Sequence, residues 1–244
     1  MSDDTTQPDR DSIETLTESV RDQLRSRRSF LGGAAAAGAA AVGLTGSAAG
    51  QPAGSSGTSA AASLQSQEDA QTDLDILNYA LTLEHLEATF YEKGLEDFTG
   101  EEMMTADAVC DRLCMETREK IPEYVQMVGE HEAAHVEQLT TVIEDLGGDP
   151  VEPATYDFGY DSPSQFLQVA KDLENTGVAA YAGAAPAIQN DQLLAAALSI
   201  HSVEARHAGT FNWVAGHSPF PNAFDEAKSM EEVTEIAGQF IVQD

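Results

Sequence analysis

The sequence predicts an all-α fold, namely a four-helix bundle with a long crossover between its second and third helices and a short C-terminal helix. Three observations predict it. Four stretches place apolar residues at alternating steps of three and four, which is the spacing of one helix face. Capping and turn residues separate these stretches. In each stretch a glutamate interrupts the apolar face at a similar depth, so we expect the four glutamates to meet at one level of the bundle.

Before the bundle, residues 1–50 have the composition of a twin-arginine export signal. The sequence RRSFL at residues 27–31 leads into a run of Ala, Gly and small apolar residues. Small residues at 47–49 offer a cleavage site, whereas an uncleaved run would leave a membrane tether near the roughly 20 residues that a span requires. We therefore expect export through the twin-arginine translocase to the cell surface or the medium.

Residues 51–72 are rich in Ser, Gly, Ala and Gln and contain few side chains that a core would bury. This composition predicts a flexible linker. The bundle domain is then expected to occupy residues 73–244.

The charge of the chain excludes some functions. It carries 12 Lys and Arg against 42 Asp and Glu, for a formal charge of −30. Such an excess argues against binding of nucleic acid or an anionic membrane by the folded part. It resembles the composition of proteins from salt-loving haloarchaea, in which carboxylates keep the surface hydrated and molar salt screens their repulsion.

The first helix is predicted over residues 73–98. Its inward face carries Glu84 and, two turns later, Tyr91. Glu87 lies one turn beyond Glu84, and we expect it on a partly solvated flank, with a role as a spare ligand as the alternative.

An insertion at residues 99–117 contains two cysteines, Cys110 and Cys114. Export favours a disulfide between them. Free buried thiols and redox chemistry are the alternatives, since two cysteines alone are too few for a metal site.

The second helix is predicted to begin near Pro122 and to end at Gly147. About 15 residues with Pro and Gly follow, and a fully extended segment of that length covers about 50 Å. This length is enough to return along the second helix, as the crossover requires.

Capping residues define the remaining helices. Ser162 is the predicted cap of the third helix, and Asn190 separates the third helix from the fourth by a tight turn. A short amphipathic helix is predicted after Ser229, because Glu232 completes a capping box with it.

The second and fourth helices each place a Glu and a His three residues apart on the inward face. Buried carboxylates are neutralised, paired or bound to metal, and basic residues are scarce in this chain. The order of one Glu followed by Glu-x-x-His occurs twice along the chain, with Tyr91 and Tyr181 seven residues after the single glutamates. The candidate metal ligands are Glu84, Glu132, His135, Glu174, Glu204 and His207.

The other histidines have weaker claims to the site. His85, His131 and His217 lie off the inward faces and are expected to be solvated or hydrogen-bonded. His201 lies one turn before Glu204, so for this residue a position near a metal is the alternative to a role outside the site.

Residues 73–216 resemble the ferritin-like di-metal carboxylate superfamily, in which two helices supply one Glu each and two supply Glu-x-x-His. The Glu-to-Tyr spacing is similar to that of bacterioferritins and rubrerythrins. The segments LNYALTLE at 77–84 and HEAAH at 131–135 resemble an exported ferritin-like family of many microbes.

The resemblance implies a ferritin-like bundle that holds two iron or two manganese ions. It implies that Glu132 and Glu204 bridge the ions, that Glu84 and Glu174 are terminal ligands, and that His135 and His207 bind one ion each. Mixed oxygen and nitrogen ligands suit both metals. Tyr91 and Tyr181 are candidate catalytic residues that bond a bound ligand or donate an electron, and filling of the core is the alternative for each.

Two functions follow as expectations. The first is a reaction with O2 or peroxide in the ferroxidase, peroxidase or catalase-like range. The second is non-catalytic metal binding or protection of the envelope during salt stress or desiccation. The predicted signal and linker argue against a storage cage. The absence of a four-cysteine domain argues against a rubrerythrin-type reductase. Assembly into a homo-oligomer is left as an alternative to a single chain.

Overall fold

The computed structural model describes residues 56–242, with backbone only for residues 56–69 and 71. The predicted export signal at residues 1–50 lies outside this range, as do the first residues of the predicted linker. The chain divides into two compact units, and the second unit, Asp73–Asp244, contains the bundle. None of the described helices is long and apolar enough to cross a membrane.

The described residues contain eight α-helices, and no strand occurs among them beyond one isolated bridge between Tyr156 and Ile241. The all-α fold class is thus confirmed. The helices are α1 (Ser56–Asp97), α2 (Gly100–Met104), α3 (Asp107–Cys110), α4 (Met115–Arg118), α5 (Ile121–Leu146), α6 (Pro163–Ala184), α7 (Asp191–Val214) and α8 (Met230–Gly238), with a 3₁₀ turn at Ala185–Ala187 after α6.

The predicted helix ends are close to the observed ones because local signals determine them. Gly147 ends α5 in the left-handed conformation, with φ of 81°. Ser162 and Asn190 cap α6 and α7 through their side-chain oxygens, and Ser229 forms the capping box of α8 with Glu232.

Helix α1 begins at Ser56, well before the predicted start at residue 73. The extra helix lies in the stretch predicted to be a flexible linker. Residues 56–72 lack an apolar face but are rich in Ala and Gln, which have high helix propensity. Periodicity therefore missed a helix that propensity alone favours.

The connection at residues 147–162 contacts α1 at Asn78 and at Lys93. Near the start of the bundle, the backbone N–H of Val151 donates to Asn78 Oδ1 at 2.8 Å. Further along, Lys93 Nζ donates to the carbonyl of Tyr156 at 2.7 Å. The long crossover between the second and third bundle helices stays a prediction.

The two cysteines of the insertion are free thiols, so the expected disulfide is wrong for this structure. The thiol of Cys110 contacts the guanidinium of Arg118 at 2.8 Å, and that of Cys114 contacts the hydroxyl of Thr117 at 3.2 Å. The two sulfurs thus have separate partners, and Cys114 is exposed.

Aromatic rings fill the bundle on one side of the predicted glutamate level. Phe90 and Phe166 are stacked with ring centroids 4.6 Å apart, and Tyr91 lies edge-on to Phe90. Gly94 is required here, because a Cβ at this position would overlap the ring of Phe166. The rings close this end of the core.

Candidate metal centre

The structure brings all six predicted ligands together at one level of the bundle. The glutamates are fully buried, and they come from α1, α5, α6 and α7. The side chain of His207 is 6% exposed and that of His135 is 12% exposed. The predicted ligand residues are Glu84, Glu132, His135, Glu174, Glu204 and His207.

His135 is the nitrogen ligand candidate of one half of the centre. Its Nδ1 lies 3.1 Å from Glu84 Oε2, 3.1 Å from Glu132 Oε2 and 3.2 Å from Glu204 Oε1. Each of these three residues comes from a different helix, so one imidazole nitrogen faces carboxylates of α1, α5 and α7.

His207 occupies the corresponding place in the other half. Its Nδ1 lies 2.9 Å from Glu132 Oε1, 3.3 Å from Glu174 Oε2 and 4.0 Å from Glu204 Oε2. The contact with Glu132 is short but lacks hydrogen-bond alignment, since neither atom has a hydrogen-bond partner among the described residues.

These contacts define two overlapping sets of potential metal ligands. One set is Glu84, Glu132, His135 and Glu204, and the other is Glu132, Glu174, Glu204 and His207. In each set the ligand atoms lie within 4.8 Å of one another. The two sets share Glu132 and Glu204, the residues that the family resemblance implies as bridges.

Burial is the largest single influence on the pKa values of Glu132, Glu204 and Glu84, although it sets the direction of the shift only for the first two. Burial raises the pKa of Glu132 to about 7, even though His135 and His207 oppose the shift. Burial and the nearby Glu132 carboxylate raise the pKa of Glu204 well above its usual value. Burial also acts to raise the pKa of Glu84, but the charge and hydrogen bond of His135 outweigh it, and the net pKa is lowered.

The histidine pKa values respond to the same cluster. Burial disfavours the charged form of His207, but Glu174 and Glu132 outweigh it and raise its pKa to about 10. The pKa of His135 is raised well above its usual value, since Glu84 and the other carboxylates exceed the effect of burial. Without a cation, the cluster therefore retains protons that a metal would replace.

Several buried donor atoms have the properties that a divalent cation requires. Glu132 Oε1, Glu174 Oε2, both carboxylate oxygens of Glu204 and His207 Nδ1 are buried and make no hydrogen bond among the described residues. Orphaned buried oxygen and nitrogen atoms are costly in a protein interior. A cation placed among them would satisfy them, so these residues fit the metal ions of the predicted centre.

The two predicted tyrosines connect the halves of the centre. Tyr181 donates from its hydroxyl to Glu84 Oε1 at 2.5 Å, and Tyr91 donates to Glu174 Oε1. Each tyrosine thus bonds the single glutamate of the opposite half. Burial, followed by the adjacent carboxylate, raises the pKa of both phenols well above the usual value.

Glu87 corrects the sequence interpretation, because it is 3% exposed and not on a solvated flank. It belongs to neither ligand set. Burial and then the Glu204 charge raise its pKa well above the usual value. A Cβ at Gly177 would lie 3.1 Å from Glu87 Oε1 and 3.2 Å from Glu204 Oε2, so the glycine leaves room for this fifth carboxyl group.

The sequence contained a signal for the packing of Glu87 against Gly177. Glu87 follows Glu84 by three residues, and Gly177 follows Glu174 by the same distance. A carboxylate in one half therefore corresponds to an empty position in the other half, and the bundle brings the two positions together.

His131 is a second residue whose place was missed. It is hydrogen-bonded, as expected, but its partner is a site residue: His131 Nδ1 lies 2.9 Å from His207 Nε2. With Nδ1 of His207 directed at the carboxylates, we assign the proton to its Nε2, which donates to His131. Burial and the neighbouring His207 lower the pKa of His131 to about 4, which favours the neutral acceptor.

The other histidines lie outside both ligand sets. His85 Nε2 bonds the carbonyl of Val151 at 3.1 Å, and His217 is exposed, in line with the expectation for both. His201 Nε2 is buried without a hydrogen-bond partner among the described residues, but the structure does not bring it into the centre.

Comparison with known proteins gives the family. A family model described as a ferritin-like domain matches residues 72–217, which is more than half of the chain. The chain belongs to this ferritin-like family. The ferritin-like match covers α5, α6 and α7 completely, together with the part of α1 that carries Glu84. All six candidate ligands of the ferritin-like domain therefore lie inside the matched region, whereas α8 lies beyond it.

No curated protein matches the chain. The ferritin-like resemblance is confirmed by the family match, and a cluster suited to metal is present in the ferritin-like domain.

Proposed function

We propose that this ferritin-like domain binds two iron or two manganese ions and that the loaded centre reacts with O2 or peroxide. One observation carries the proposal, namely the two overlapping ligand sets that share Glu132 and Glu204. Four carboxylates also balance the charge of two divalent cations. The mixture of carboxylate and imidazole donors favours iron or manganese.

In this proposal each set of ligands would hold one ion. Glu84 and His135 would bind one ion, Glu174 and His207 would bind the other, and the shared Glu132 and Glu204 would contribute to both. When bound, a redox-active pair would supply two electrons, one from each ion, with which a peroxide and two protons would give two waters.

The protein residues position and enclose the centre. Tyr181 and Tyr91 hold the carboxylates of Glu84 and Glu174 by donating hydroxyl hydrogens. The buried glutamates and the stacked aromatic rings exclude water, which strengthens electrostatic interactions inside the site. Both hydroxyl hydrogens are directed at these carboxylates. From this position, the proposed catalytic role of the two tyrosines is to pass a proton or an electron toward a bound oxidant.

The test begins with metal analysis of the protein purified in its native salt and then mixes the loaded protein with O2 or with peroxide. We expect two ions per chain, rapid oxidation by the added oxidant, and repeated turnover when a reductant is also supplied. Glu132→Ala and Glu204→Ala should lose most of the metal, because both sets include these residues. Full metal content in the Glu204→Ala protein would contradict the site assignment.

A second function is favoured by the position of the centre. It joins α1, α5, α6 and α7, and its glutamates are fully buried. A metal there would hold the four helices together without any reaction, in a protein that binds metal or protects the envelope under salt stress or desiccation. Loaded protein that is stable but shows no turnover with either oxidant would favour this function.

We also infer that the protein is exported through the twin-arginine translocase to the cell surface or the medium. Support comes from the paired arginines of the RRSFL segment at residues 27–31. A centre buried among four helices is assembled as they close, so we expect loading before export. Arg27→Lys with Arg28→Lys should leave folded, loaded protein in the cytoplasm. Metal-free retained protein beside loaded exported protein would show that filling occurs outside.

A further inference from the structure

A cavity of about 30 Å³ lies among the four long helices, next to the metal centre. Apart from Tyr79, Gln138 and Tyr181, its lining consists of Ala, Leu, Ile and Val side chains from α1, α5, α6 and α7 with the turn after α6. It lies on the side of the glutamates that the aromatic cluster does not occupy.

Small residues create this space. Ala80, Ala180 and Ala184 are buried and face the cavity, and Ala197 lines it from α7. On the opposite side of the centre, rings such as that of Phe166 fill the corresponding volume. The bundle is therefore closely packed on one side of the centre and leaves a space on the other.

The cavity borders the centre directly. Tyr181 lines the cavity, and its hydroxyl bonds Glu84. Two further lining residues, Leu83 and Ile200, lie one residue before Glu84 and one turn before Glu204. A molecule in the cavity is thus separated from the ligand set of His135 by a single layer of side chains.

The lining determines what the cavity can hold. A trapped water requires two to four polar partners, and apolar cavities stay dry and accept apolar guests such as xenon. The Tyr181 hydroxyl is already bonded to Glu84. The Tyr79 hydroxyl, which has no hydrogen-bond partner among the described residues, and Gln138 are the other polar groups, and the rest of the lining is alkyl. About 10–15 Å³ is enough space for one water-sized molecule, so the cavity has room for a diatomic gas.

We propose that this cavity binds dioxygen and holds it beside the centre. The proposal rests on the function proposed above and specifies its oxidant, because a cavity lined mostly by alkyl groups favours O2 over peroxide, which requires several hydrogen bonds. Dioxygen enters this space as an apolar guest and reaches the centre from the side of Tyr181.

The first test measures the cavity itself with xenon, by crystallography under xenon pressure or by ¹²⁹Xe NMR of metal-free protein. Ala197→Leu fills the cavity from α7, and Ala205→Leu is the matched control, since Ala205 is exposed on the same helix. We expect xenon in the wild type and in the control but not in Ala197→Leu. Ala184→Leu provides a second filled variant should Ala197→Leu fail to fold. A wild type that binds no xenon would overturn the proposal.

The second test measures oxidation of the loaded proteins over a range of O2 and of peroxide concentrations. Filling the cavity should raise the KM for O2 about tenfold, with little change in kcat and in the reaction with peroxide. An unchanged KM for O2, or an equal loss with both oxidants, would refute delivery of O2 through this cavity. A loaded wild type that reacts with neither oxidant would instead refute the proposed function, and the delivery role with it.

Discussion

Removing the metal should reverse the direction in which stability depends on pH. The perturbation is chelation of the ions, followed by thermal melts from pH 5 to pH 8 in molar salt, which screens the acidic surface. In the loaded protein, acid protonates the ligands and releases the metal, so stability should fall as pH falls. In the metal-free protein, the raised pKa values of the buried site residues should instead make stability rise as pH falls.

Glu132 shows how the sign arises. Its pKa is 4.5 in its ordinary state and about 7 in the folded protein. The folded state therefore binds its proton more tightly than the unfolded state does. The resulting stability is fully present below pH 4.5 and is lost as pH rises through 7. His207, with a pKa raised to about 10, contributes with the same sign at higher pH, whereas Glu84 acts oppositely only below pH 4.5.

The magnitude is measurable. Raising the pKa of Glu132 from 4.5 to about 7 corresponds to a stability change on the order of 3 kcal/mol. For a domain of this size, that change shifts Tm by about 6–12 °C. Metal at 100 times its Kd adds about 2.7 kcal/mol per ion, so loaded and metal-free melts should separate clearly at pH 8.

Differential scanning calorimetry at fixed salt checks the prediction, with Glu132→Gln as the control. The amide cannot titrate, so the metal-free variant should show a smaller loss of Tm between pH 5 and pH 8 than the wild type. A metal-free wild type whose Tm is flat or rises over this range would refute the assignment of buried, proton-sharing carboxylates.

Three further predictions concern residues around the centre. Glu87→Gln should keep full metal content and raise the Tm of the metal-free protein, since it removes one of five crowded carboxyl groups. Metal analysis and thermal melting check these two outcomes, and loss of metal would show that Glu87 is a ligand. His131→Ala should weaken metal binding by about 10-fold to 100-fold, because His207 loses its hydrogen-bond acceptor. His131→Gln should restore part of the affinity. Titration with metal measures these affinities, and His85→Ala is the control that should change little. Gly94→Ala should destabilise the domain by about 1–3 kcal/mol through overpacking against Phe166, as denaturant unfolding would show, and an unchanged midpoint would contradict the packing described.

The sequence predicted those features that depend on neighbours along the chain. Helix ends at Gly147, Ser162 and Asn190 follow from capping chemistry that involves only the next few residues. The inward position of Glu132 and Glu204 follows from helix periodicity, since a residue within an apolar face is buried when the helix packs.

The features that were missed depend on contacts between helices. Glu87 is buried because Gly177 on another helix leaves space for it, and His131 reaches the centre because α7 brings His207 next to it. Neither contact follows from the periodicity of a single helix. Repetition in the sequence supplied a partial signal, since Glu87 and Gly177 occupy matching positions in the two halves.

The exchange of tyrosine bonds between the halves has a consequence for how the two hairpins depend on each other. The hairpin of α1 and α5 contains three members of the first ligand set but lacks Glu204, and its Tyr91 bonds a glutamate on α6. The hairpin of α6 and α7 contains three members of the second ligand set but lacks Glu132. Two identical hairpins related by a twofold axis would supply to each other what each one lacks. The single chain thus joins covalently two hairpins that complete each other in the way two subunits of a homodimer would.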